Sequence, residues 1–219
     1  MDIFQIIGPI MVGPSSSHTA GAVRIGLVTR KLLGKPPVRA ELYLHGSFAA
    51  TGRGHGTDKA LIAGLLGFAP DDTRVPDSFA CAENAGLSFS FSTIQLRDAH
   101  PNSVKILVWG EGDEKPLEVV GASIGGGRME IRELSGMKLS FAADVPTLIV
   151  RNEDKAGSVA DVSYMLSRCQ INIATFQVTR NVRGGEAVMV IECDAPLDSA
   201  LSDRIRSMPG ILDCVVINP

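Results

Sequence analysis

The chain has 219 residues, 45% of them hydrophobic, and a formal net charge of −3. That length holds one large or two small domains with real cores. The charge offers no basic field for nucleic acid, and at 5% the aromatic residues are too few for a base-stacking surface.

No apolar run reaches the roughly 18 residues of a bilayer span. The N-terminus, "MDIFQIIGPIMVG", has an acidic second residue and no basic stretch, so it reads poorly as a signal peptide. A soluble cytoplasmic protein is expected. Cys81, Cys169, Cys193 and Cys214 lie far apart without a C-x-x-C pair, so neither zinc nor iron–sulfur spacing is present. Reduced thiols in the core are the plain reading.

The first notable stretch is "GPSSSHTAGA", residues 13–22. Residues 19–33 follow as a helix, with Val23, Leu27 and Val28 at helical spacing and Gly34, Pro36 and Pro37 as its stop. One serine before a helix is an ordinary cap. Ser15, Ser16, Ser17 and Thr19 together with His18 are more than a cap needs. Free N–H groups at a helix start, with the positive end of the dipole, bind anions, and short hydroxyls add donors. A carboxylate or phosphate suits this place, with His18 at its edge.

Residues 38–44 alternate as a half-buried strand. "HGSFAATGRGHGTD" follows, too rich in glycine to be regular throughout, and carries His45, Arg53 and His55. His55 stands between Gly54 and Gly56, where a ligand can approach the backbone closely. It is a better candidate for chemistry than His45, which ends a strand, or His100, in a turn. A helix over 58–66 is capped by Thr57 or Asp58. Residues 68–86 read as loop. Strands are expected at 87–92, 103–109, 117–124 and 128–134, with Gly125–Gly127 as a hairpin turn or bulge. This makes an α+β domain over residues 1–140.

Residues 146–219 change rhythm. Strand, helix, two strands joined through Arg183-Gly184-Gly185, helix and strand give βαββαβ, a ferredoxin-like order. Val159, Val162, Met165 and Leu166 form the apolar stripe of the first helix. With "RNEDKAGSVADV" and "INIATF", this unit resembles the ACT domain, an amino-acid-sensing module. The resemblance implies a ligand between paired modules near the turn, at Asn152, Asp154, Gly157 and Asn172, and a homodimer through this unit. Asp154 and Gly157 shaping the turn and capping the helix is the equally weighted alternative.

Other chemistries fit less well. Zinc held by His18, His45, His55 and Asp58 lacks compact spacing. A Ser-His nucleophile lacks a G-x-S-x-G elbow, and a phosphate loop lacks its lysine. "GPSSSHTAGAVRIG" followed by "LHGSFAATGRGHGTDKALIAGLLG" closely resembles the iron–sulfur L-serine dehydratases, specifically the β chain of the two-subunit type. The likeness covers the whole chain. It implies an allosteric-substrate-binding-like α+β domain followed by an ACT domain. It implies deamination of L-serine to pyruvate and ammonia, with a [4Fe–4S] cluster held by a partner α subunit and no metal ligand here. His55 as base, His18 as second proton handler, and Ser15, Ser16, Ser17, Thr19 and Arg53 around the substrate are the roles that follow. A serine-sensing regulatory subunit and the matching domains of a phosphoglycerate dehydrogenase are the alternatives. The latter lacks its G-x-G-x-x-G loop in this chain.

Overall fold

The computed structural model describes residues 10–52 and 54–219. The chain divides into two compact units, 1–135 and 136–219. Among the described residues no helix is long and apolar enough to cross a membrane.

The first unit begins with a wide turn of π-helix, Ser16–Ala20, that runs directly into helix α1, Gly21–Leu33. Strand β1, Pro37–Leu44, leads into a short helix α2, Gly46–Thr51, and then helix α3, Thr57–Leu65. A 3-10 turn, Val75–Asp77, precedes helix α4, Ser78–Asn84. Strands β2, Ser88–Thr93, β3, Ser103–Gly110, β4, Leu117–Gly125, and β5, Arg128–Leu134, complete the unit.

Within this unit the strands are ordered β2-β1-β3-β4-β5. β1 and β2 are parallel, whereas the other neighbours are antiparallel. A parallel pair needs a crossover, and α2, α3 and α4 lie in the one between β1 and β2. α1 packs on the sheet so closely that a Cβ on Gly121 would stand 2.7 Å from Ile25 Cγ2. α1 and α3 meet at glycines: a Cβ on Gly64 would stand 2.1 Å from the carbonyl oxygen of Val23. Ile25, Leu61, Ile62, Leu65, Ile106 and Ile131 fill the core. Small residues thus set how closely the helices approach, and thereby how closely their N-termini do.

Three local expectations change. The glycine-rich stretch after β1 contains the helix α2, too short for periodicity to reveal. Residues 78–84, read as loop, form α4, whose Ser78 and Ala82 are buried. Neither Thr57 nor Asp58 caps α3. Gly56 does so through its left-handed backbone, φ +69°, and Thr57 Oγ1 is buried with no hydrogen-bond partner among the described residues.

The second unit opens with a short strand β6, Met137–Phe141, absent from the sequence reading. Strand β7, Thr147–Glu153, helix α5, Ser158–Arg168, strands β8, Ile173–Arg180, and β9, Glu186–Cys193, helix α6, Ser199–Arg206, and strand β10, Ile211–Ile217, follow. Their sheet order, β10-β7-β9-β8, is the antiparallel ferredoxin-like arrangement. Val162, Leu166, Leu201 and Ile205 from the helices meet Leu148, Val150, Met189 and Ile191 from the sheet. Val159 departs from the expected stripe and is exposed. The fold class is α+β, as expected.

Candidate functional site

The site grows from the start of the first helix. Ser15 is extended, and its hydroxyl accepts from the His18 N–H at 3.1 Å. The backbone N–H of Gly21 reaches Ser16 O, the long register of a π turn. Ser15, Ser16, Ser17 and His18 are half-buried, and Thr19 is buried. Thr19 Oγ1 donates to the His55 carbonyl oxygen at 3.1 Å, which ties the serine turn to the second glycine-rich stretch. The Thr19 proton is thereby committed to the protein backbone.

His18 and His55 then lie tilted against each other in one cluster. Their ring centroids are 5.0 Å apart, with an interplanar angle of 40°. His55 is exposed, on the turn between Gly52 and α3. Its backbone N–H donates to Gly52 O at 3.3 Å, and Thr57 N–H donates to the same oxygen at 2.8 Å. His18 packs edge-on against Phe48 at 5.5 Å. Burial, and then the nearby His55, lower the His18 pKa from its ordinary value. Arg53, expected beside the substrate, lies outside the described residues.

Two residues that sequence reasoning missed complete the cluster. Ser47 Oγ lies 3.0 Å from His18 Nε2, and Thr51 Oγ1 lies 3.2 Å from the same atom. They stand one helical turn apart on α2. Reading "GSFAAT" as a helix would have put both hydroxyls on one face, but six residues carry too little pattern. The other face of α2, Gly46, Ala49 and Ala50, lines a pocket of about 340 Å³ with Thr93, Ile94 and Gln95. None of the candidate residues among the described ones borders that pocket.

His45 takes a different position. Its Nδ1 lies 3.2 Å from the Leu96 N–H and 3.3 Å from the Ile94 carbonyl oxygen. It fastens the 94–96 segment to the end of β1, a structural task. The zinc reading also finds no support. Among the described residues no three His, Cys, Asp or Glu side chains gather into a metal-binding set. Cys193 and Cys214 are buried, and burial pushes the Cys214 thiol up to about 12.

In the second unit the four named residues have separate surroundings. Asp154 Oδ2 accepts from Arg180 Nη1 and from Gly184 N–H, each at 2.9 Å. The Gly184 N–H and then the Arg180 guanidinium hold its carboxyl below the usual carboxylate range. Asp154 thus locks the β8–β9 hairpin rather than capping α5. Gly157, at φ +98°, starts α5 in a backbone that other residues rarely adopt. Asn172 donates to Asp194. Asn152 is buried, its Nδ2 donates to Glu153 O at 2.7 Å, and its Oδ1 has no partner among the described residues.

Comparison with known proteins gives a consistent picture. Residues 1–133 match the family described as serine dehydratase beta chain. The chain is 42% identical over 215 residues to a probable L-serine dehydratase beta chain of Bacillus subtilis (strain 168), covering 98% of this chain and 97% of that one. It is 42% identical over 204 residues to the L-serine dehydratase beta chain of Peptoniphilus asaccharolyticus, covering 92% and 91%. It is 26% identical over 198 residues to a D-3-phosphoglycerate dehydrogenase of Bacillus subtilis (strain 168), covering 90% of this chain and 37% of that one. The ACT domain of GTP pyrophosphokinase from Chlorobium tepidum overlays 32% of this chain and 94% of that one, at 19% identity and a TM-score of 0.28.

Proposed function

The chain belongs to the serine dehydratase β-chain family, and from that premise we propose that it is the β subunit of an L-serine dehydratase, acting with an α subunit to convert L-serine to pyruvate and ammonia. The observation that carries the reading is the His18–His55 pair, joined through Thr19 from two stretches far apart in sequence.

The Cα–H of an amino acid is a weak acid, so its removal needs a positioned base. His55, exposed between two glycines, takes that proton. His18 lies behind it, and its lowered pKa keeps it neutral at cellular pH, ready to orient substrate or pass a proton. Ser15, Ser16 and Ser17, at the start of the helix, hold the substrate carboxylate. Thr19 acts from beneath by holding the His55 backbone, and Arg53 joins the carboxylate site through its motif.

Among the described residues no set of metal-ligating side chains gathers, so any [4Fe–4S] cluster takes its ligands from the α subunit, and the His18–His55 cluster is one half of a shared site. In the second unit, Asn152, Asp154, Gly157 and Asn172 mark an effector site between two copies. The exposed edge residues Phe176 and Val178 on β8 support self-association there.

The test is anaerobic co-purification with the α subunit, followed by a pyruvate assay with L-serine. His55→Ala is expected to leave the complex assembled and lower kcat by about 10²–10⁴-fold. Near-normal turnover in that variant moves the base elsewhere. A wild-type complex that makes no pyruvate overturns the activity itself.

A further inference from the structure

We propose that Ser47 and Thr51 are positioning residues that hold the His18 proton on Nε2, leaving Nδ1 as the nitrogen His18 offers to proton transfer. The inference rests on the reading of His18 as a proton handler.

The argument starts from the protons available. A hydroxyl has one proton and two lone pairs. Thr51 Oγ1 lies 3.0 Å from the carbonyl oxygen of Ser47, one turn earlier, the usual destination of a helical threonine proton. With its proton there, Thr51 turns only lone pairs toward His18 Nε2, 3.2 Å away. A bare nitrogen at that place would set its lone pair against those of Thr51 and leave Ser47 alone to donate to it. A protonated Nε2 instead finds two acceptors, because Ser47 Oγ lies 3.0 Å from it on the same side. The two hydroxyl oxygens are themselves 3.4 Å apart, close enough to receive one N–H between them.

The cradle is held by more than the hydroxyls. Phe48, fully buried between them in sequence, meets the imidazole at its edge. α2 is anchored at its start, where Ser47 N–H donates to Pro101 O at 2.8 Å. Three neighbours of one imidazole therefore share a single fastened turn of helix.

The chemical consequence is a fixed polarity. When Nδ1 takes a proton, its lone pair forms the new N–H bond and the ring becomes positive; release reverses both changes. Nε2–H donates to the same two oxygens before, during and after, so no hydroxyl must turn as the charge develops. Donors and acceptors already in place lower the cost of that step.

The tautomer is read directly on the full chain labelled with ¹⁵N-histidine, in a long-range ¹H–¹⁵N correlation spectrum at a pH where His18 is neutral. The wild-type chain is expected to show Nε2 protonated and Nδ1 bare, a measurement that needs no variant to fold. Ser47→Ala combined with Thr51→Val should give mixed tautomers. In the complex with the α subunit the same pair should lower kcat about tenfold with little change in KM, and Thr51→Ser alone should keep wild-type values. Nδ1 protonated in the wild-type chain, or an unchanged tautomer in the double variant, overturns the inference alone. Full kcat in His18→Ala overturns the functional reading on which it rests.

Discussion

The hydroxyl of Thr19 donates to the main-chain oxygen of His55 at 3.1 Å across 36 positions of sequence. The bond fastens an exposed turn to a buried residue at the base of α1. Thr19→Val keeps the shape and removes the donor. It should destabilise the chain by about 0.5–1.5 kcal/mol, the net value of one such bond. It should also lower kcat of the assembled enzyme, because His55 loses its anchor. Unchanged thermal unfolding and unchanged turnover would show that the turn is held by something else.

The approach of α1 and α3 makes a second expectation. A Cβ on Gly64 would stand 2.1 Å from Val23 O and 2.6 Å from Leu27 N, atoms of the backbone that cannot swing aside. Gly64→Ala must push the helices apart, at about 1–3 kcal/mol or more. Gly54→Ala meets only Thr51 O, at 3.5 Å, and should fold normally. Paired thermal melts decide the matter. Equal melting temperatures for the two variants would contradict the close contact.

The thiols give a third. Alkylation of the native chain should reach the partly exposed Cys81 and Cys169 and spare the buried Cys193 and Cys214. The high pKa of Cys214 protects it further, since the thiolate is the nucleophile. Unfolding should open all four. Supplied alone with iron and sulfide without oxygen, the chain should stay colourless. Mass spectrometry of the alkylated peptides reads the first point, and a stable visible absorbance band would refute the second.

The Asp154 lock predicts a pH dependence in the second unit. Its carboxyl pKa is lower folded than unfolded, through Gly184 N–H and Arg180. Its contribution is therefore complete above the unfolded value of about 3.9 and is lost as pH falls through the lower folded value. Hydrogen exchange of residues 180–186, corrected for intrinsic rates, should accelerate below about pH 4 in the wild-type chain. Asp154→Asn should exchange faster at neutral pH and show no further acid step. An acid step of the same size in that variant would assign the titration to another group.

Much of the architecture was legible in the residues. Alternation in "VRAELYL" marks β1, because a half-buried strand repeats every two residues, and the short apolar run in "EAVMVIECD" marks the buried β9. The βαββαβ order follows from such patterns together with the Gly184-Gly185 turn. α2, α4 and β6 were not legible. Each is five to seven residues long, and their order comes from packing and from contacts such as Ser47 N–H to Pro101 O.

The site divides along the same line. His18 and His55 were visible as candidates because serines, glycines and a titratable ring are unusual company, and that is a local property of the chain. Their meeting at 5.0 Å, the service of Ser47 and Thr51, and the separate task of His45 belong to the tertiary structure. Sequence by itself determined which groups exist and which of the longer segments form helices and strands, since propensity and burial pattern act over a few residues. Only the tertiary structure decided which hydroxyl faces which imidazole, because a hydrogen bond depends on tenths of an ångström, set here by how closely α1, α2 and α3 pack.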